Sequence, residues 1–101
     1  MNLEGVDTSA FTKAFAEMEK IIGADLDYWY HFKLRSGIVS PQQYESLVFL
    51  NGISFDLKEN RIHEIRYPSE SRDENQKRFD DWADYLKNLR DTIVMKTSNR
   101  N

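Results

Sequence analysis

The chain begins with a helical spacing of apolar residues. Phe11, Phe15, Met18, Ile21 and Ile22 fall at i, i+4, i+7, i+10 and i+11, one stripe of a 3.6-residue period. Asp7 or Thr8 can accept the free amide hydrogens at its start, and Gly23 supplies a left-handed residue to end it. This predicts a helix over about 8–22. The period then changes. Leu26, Tyr28, Tyr30, Phe32 and Leu34 alternate with Asp27, Trp29, His31, Lys33 and Arg35. A helix would scatter those aromatics around its circumference, whereas a strand over 26–35 gathers them on one face. Ser36-Gly37 interrupts the run.

Residues 40–52 support two readings. Ser40-Pro41-Gln42-Gln43 has the form of a capping box with proline at the first helical position, and Gly52 would then be a C-cap. Against this, Leu47-Val48-Phe49-Leu50 runs directly into Asn51-Gly52, a strong two-residue hairpin signal. The partner run Ile53-Ser54-Phe55-Asp56-Leu57 alternates cleanly, so a strand over 45–50 is the favoured expectation. Lys58-Glu59-Asn60 reads as a polar turn, Arg61 to Tyr67 as another strand, and Pro68 as its end. Ser71-Arg72-Asp73-Glu74 then has the form of a capping box. Phe79, Trp82, Leu86, Leu89 and Ile93 form a narrow apolar seam along a long helix, with Asp73–Lys77 and Glu74–Arg78 as acid-before-base pairs on its exposed side.

The expected fold is therefore an α+β two-layer domain of order α-β-β-β-β-α. A four-stranded antiparallel meander confined to about 26–67 is covered by an N-terminal and a C-terminal amphipathic helix. One globular domain over 1–95 is expected, followed by a frayed polar tail over 96–101. Phe15, Tyr30, Phe55, Trp82 and Leu86 are the expected core residues.

Composition narrows the functional classes. In 101 residues there is no cysteine, hence no disulfide framework, no thiolate nucleophile and no cysteine-ligated metal. The first residues hold acids without a basic region, which speaks against a secretory signal. The apolar run Leu47–Leu50 is too short to span a membrane. A cytoplasmic address is the simplest expectation. The net charge of −3 argues against a general nucleic-acid binder, because phosphate neutralisation calls for a basic excess. Residues 1–27 hold six acids and two bases, residues 28–67 four and five, and residues 68–101 seven and seven. The acidity thus belongs to the N-terminal quarter.

Catalytic motifs are absent: there is no phosphate-cradling glycine loop, no Gly-x-Ser-x-Gly and no His-Glu-x-x-His. His31 and His63 could converge across the sheet, with Glu45 or Asp56 completing a metal set, but two half-exposed strand histidines are the simpler reading. No cofactor, metal or catalytic residue is expected. His63-Glu64 cannot serve one site, since neighbours on a strand point to opposite faces.

Two surfaces are candidates for binding. If Tyr28 and Phe32 fill the core, Trp29, His31, Lys33 and Arg35 face solvent, and Arg61 and Arg66 on neighbouring strands extend the row. Aromatic residues and arginine are enriched at interface centres, although Trp29 packed under loop 36–43 would be a purely structural alternative. The second surface is the acidic side of the last helix: Asp73, Glu74, Asp80, Asp81 and Asp84. A solvated helix face explains those acids as simply as a basic partner does. The expected function is a small non-catalytic protein-binding module of inhibitor, immunity or adaptor type, acting by steric and electrostatic contact. The alternatives are a nucleic-acid-associated protein using the Trp29 face, or a small subunit with a ligand site at a dimer interface. A homodimer is left open.

Overall fold

The computed structural model describes residues 3–22, 37–61 and 71–98. They form three helices: α1 (Ser9–Ile22), α2 (Pro41–Lys58) and α3 (Arg72–Ser98). No strand occurs among the described residues. The α+β meander is therefore overturned: its 45–50 and 53–57 strands are one continuous helix. The proposed strand over 26–35 lies outside the described residues, as do residues 62–67 of the last strand.

Helix α1 follows its sequence pattern. Phe11, Phe15, Met18 and Ile22 are buried, with Ile21 packed beside them. The Asp7 carboxylate accepts from the Ser9 backbone N–H at 2.9 Å, meeting one of the amides that a helix start leaves open. The predicted end at Gly23 falls outside the described residues.

Helix α2 is the correction, and its first turn explains it. The Ser40 hydroxyl accepts from Gln43 N–H at 3.1 Å and the Gln43 side chain accepts from Ser40 N–H at 2.9 Å. With Pro41 at the first helical position, the start is fully specified. Leu47, Leu50, Ile53 and Ser54 are buried and Leu57 is packed at the edge, which is a helical spacing. The Asn51-Gly52 pair makes no turn; it sits inside the helix. The actual stop lies further on, where Asn60 adopts a left-handed conformation with φ 56°. Asn60 N–H donates to Leu57 O at 3.2 Å and Arg61 N–H to Asp56 O at 2.8 Å, the bond pair of a Schellman motif. The alternation of Ile53, Phe55 and Leu57 misled because this helix is apolar on several sides. Phe55, expected in the core, is half exposed at 50%.

Helix α3 carries the predicted seam. Phe79, Leu86, Leu89 and Ile93 are buried, Ala83 joins them, and Trp82 packs against them partly buried. Its start is marked by Ser71, whose hydroxyl accepts from Glu74 N–H at 3.4 Å. Lys77 pairs forward with Asp81 at 3.1 Å rather than back to Asp73, which engages Arg72 at 2.9 Å.

Helices α1 and α3 run side by side in the same direction. At their starts Asp7 and Gln76 exchange two hydrogen bonds, at 2.8 and 2.9 Å. Phe11 meets Phe79 edge-on at 5.5 Å, and towards the other end Arg90 of α3 approaches Glu17 of α1. Helix α2 closes the core through Leu47, Leu50 and Ile53. It touches α3 through Phe49 and Trp82, whose rings lie 5.7 Å apart, and α1 through Lys58 and Glu19, 3.3 Å apart. Ile38 and Val39, just before α2, are buried as well. Lys96 Nζ donates to the Ile38 carbonyl at 3.3 Å, tying the last turns of α3 to that segment.

Candidate functional site

Where α2 passes α3 the two helices leave a groove of about 700 Å³. Its apolar floor is Phe49 and Leu50 from α2 with Trp82 and Tyr85 from α3. Spacing places them there: 49 and 50 sit beside Glu45 and Ser46 one turn earlier, and 82 and 85 lie at i, i+3. Trp82 anchors the groove to the core, with ring contacts to Phe79 at 5.0 Å, Phe11 at 6.0 Å and Phe49 at 5.7 Å. It is thereby held in one orientation, with part of its surface left open.

The rim is acidic. Glu45 of α2 and Asp81 of α3 line the groove together with the neutral Gln42 and Ser46, and no cation is among the lining residues. Lys77 reaches the Asp81 carboxylate at 3.1 Å from the next turn, where both side chains are largely exposed. Such a pair is worth about 0–1 kcal/mol and is readily exchanged for another cation. Beyond Asp81 the surface continues into a smaller cleft of about 300 Å³ lined by Glu74, Lys77, Arg78, Asp81 and Trp82.

The predicted acidic surface is thus resolved into separate environments. Asp73, Glu74, Asp80, Asp81 and Asp84 are all exposed on α3. Asp81 lines the groove, and both Glu74 and Asp81 line the adjoining cleft. Asp80 accepts from the Gln76 side-chain amide at 3.2 Å, and Asp73 is held by Arg72.

Of the other predicted surface, Trp29, His31, Lys33, Arg35 and Arg66 lie outside the described residues. Arg61 is described, just past the end of α2, and its guanidinium stands 5.4 Å from the Phe55 ring centroid, a cation–π contact back onto that helix. His31 and His63 also lie outside the described residues. Glu45 and Asp56, the alternative carboxylates for that metal set, both lie on α2. Among the described residues no group of three His, Cys, Asp or Glu side chains could hold a metal. No described helix is long and apolar enough to cross a membrane.

Phe49 and Tyr85 carry no functional signal in the sequence, and Glu45 enters there only as a carboxylate for a histidine metal set. The capping box at Ser40 was the available signal. Read as the start of a helix, it places Glu45 and Phe49 one turn apart on a single face. Comparison with protein-family models, curated proteins and solved structures finds no match to this chain.

Proposed function

We propose that the protein is a small non-catalytic binding module that docks a cationic, amphipathic segment of another protein in the groove between α2 and α3. One observation carries this reading: an aromatic floor of Phe49, Trp82 and Tyr85 meets two rim carboxylates with no cation in the lining. The floor supports burial of apolar anchors, and aromatic faces attract ammonium and guanidinium groups. Glu45 and Asp81 supply acceptors for charge-assisted hydrogen bonds. A groove between two helices suits a helical segment with anchors at i, i+3 and i+4. Occupying a partner's segment in this way is enough for an inhibitory or adaptor role, with no chemical step.

Two synthetic helices with the same leucine spacing, one carrying Lys and Arg and the other Glu, test the reading by titration calorimetry. The basic helix should bind saturably and the acidic one should not. Glu45 and Asp81 are exposed, so Glu45→Lys and Asp81→Lys should leave the fold intact. Each should weaken binding by about tenfold or more. Equal binding of both helices, or undiminished binding by both variants, would overturn the proposal.

A further inference from the structure

The groove between α2 and α3 contains an aromatic corner. The Phe49 and Trp82 rings stand 5.7 Å apart with their planes at 72°, so they make two walls instead of a stack. Tyr85, nearly one turn beyond Trp82 on the same side of α3, adds a third ring to the lining. Trp82 is fixed by its contacts with Phe79 and Phe11, while Phe49 is half exposed. Aromatic faces carry negative charge density and attract cations. Helix α2 already shows this at its other exposed phenylalanine, where the Arg61 guanidinium stands 5.4 Å from the Phe55 centroid. Around Phe49 no cation belongs to the lining, and Lys77 in the adjoining cleft turns to Asp81.

Hydration decides which cation suits the corner. A primary ammonium carries three N–H donors, and a donor taken out of water without an acceptor costs free energy. Ring faces are poor substitutes for oxygen acceptors. The carboxylates stand at the exposed rim, where Asp81 already accepts from Lys77 at 3.1 Å. An unmodified lysine therefore gains most by keeping its ammonium at the rim, among Glu45, Asp81 and water. A trimethylated ammonium keeps the positive charge, has no N–H to satisfy, and spreads its charge over methyl groups that pack on ring faces. It suits the floor, with Glu45 and Asp81 as counter-charges that need not touch it.

We infer that the corner of Phe49, Trp82 and Tyr85 selects a trimethylated lysine on the segment docked in the groove. This rests on the docking reading above and names the side chain that the groove prefers. The rings discriminate by desolvation, and the two carboxylates exclude neutral and anionic side chains.

The test uses the full chain and the basic synthetic helix described above, with one lysine either unmodified or trimethylated. Titration calorimetry should show the trimethylated helix binding about tenfold more tightly. The Trp82 indole N–H resonance, identified by its loss in Trp82→Phe, should shift with tetramethylammonium chloride and not with ammonium chloride at the same ionic strength. Phe49→Leu keeps an apolar wall without a ring face, at a half-exposed position. In it the unmodified helix should still bind, and the preference for the methylated one should fall to about threefold or less. Equal binding of the two helices, or an undiminished preference in Phe49→Leu, would overturn this inference and leave the docking reading standing. Failure of both helices to bind would overturn the docking reading itself. Free choline should bind far more weakly than the methylated helix; equal affinity would overturn lysine as the carrier of the methyl groups.

Discussion

Helix α3 has two seams, and they are built differently. Along the α1 seam, buried stripes meet on both sides: Phe11 and Phe15 from α1, Phe79, Ala83 and Leu86 from α3. The Asp7–Gln76 exchange closes one end. Along the α2 seam, Trp82 and Phe49 meet only edge-on, and Phe49 remains 49% exposed. The charges differ as well. On the α1 flank Lys13, Lys87 and Arg90 stand among the acids Glu17 and Asp91, whereas Glu45 and Asp81 line the groove on the α2 flank with no cation between them. One helix thus serves as core, acidic surface and mixed-charge surface at once. This works because residues a few positions apart point to different sides and respond to different neighbours.

The largest effect should separate the seams by stability. Phe11 is fully buried and touches three other rings, so Phe11→Ala should cost about 3–5 kcal/mol in chemical denaturation. Phe49→Ala should cost well under half of that, yet abolish most binding of a basic helix. If the two losses are equal, the α2 seam is core and the groove is not a site.

Phe55→Ala offers a smaller and sharper check of the correction at α2. A core strand position would lose about 2–5 kcal/mol, whereas a half-exposed helix position with one cation–π contact should lose about 1 kcal/mol or less. Gly52→Ala should go the other way. A Cβ there meets nothing within 4 Å, and replacing a mid-helix glycine should raise stability by about 0.5–1 kcal/mol. A hairpin glycine would instead lose stability on that change, so the sign of the shift in denaturation midpoint decides.

The smallest effect concerns acid. Hydrogen bonds from the Ser9 side chain and backbone hold the Asp7 carboxyl below its ordinary range. A depressed value means that the folded state favours the ionised form. Its contribution is present above the unfolded value of about 3.9 and is lost as pH falls through the lower folded value. Carbon-13 titration should show Asp7 ionising below the ordinary aspartate range, and Asp7→Asn should flatten the fraying of the α1 start with acid. An Asp7 titration within the ordinary aspartate range would remove the end clamp from the α1 seam.

Helices α1 and α3 were legible because their apolar residues keep one period over several turns and have polar capping residues before them. The stripe from Phe11 to Ile22 and the seam from Phe79 to Ile93 each define a single buried side. Helix α2 was misread because Leu47 to Leu50 is a continuous apolar run, which carries no period. Its neighbour, Ile53 to Leu57, alternates over a length too short to separate strand from helix. The capping box at Ser40 points to a helix, whereas Asn51-Gly52 points to a hairpin. That signal is local and weak beside a specified first turn and a buried face at Leu47, Leu50 and Ile53.

The acidic residues of α3 were also visible in the sequence, as a list without a geometry. That Asp81 shares a groove with Trp82, Tyr85 and Glu45, while Arg90 lies on the other flank beside Lys13, depends on contacts between residues dozens of positions apart. The chain by itself determined two amphipathic helices, the capping signals of all three, and the seam of α3. The tertiary structure decided which side of the apolar-all-round α2 was buried, and so left Phe49 beside the groove and Phe55 at the surface. The physical reason is that local pattern sets the period of a segment. Which of its apolar faces is removed from water is set by the helices it meets.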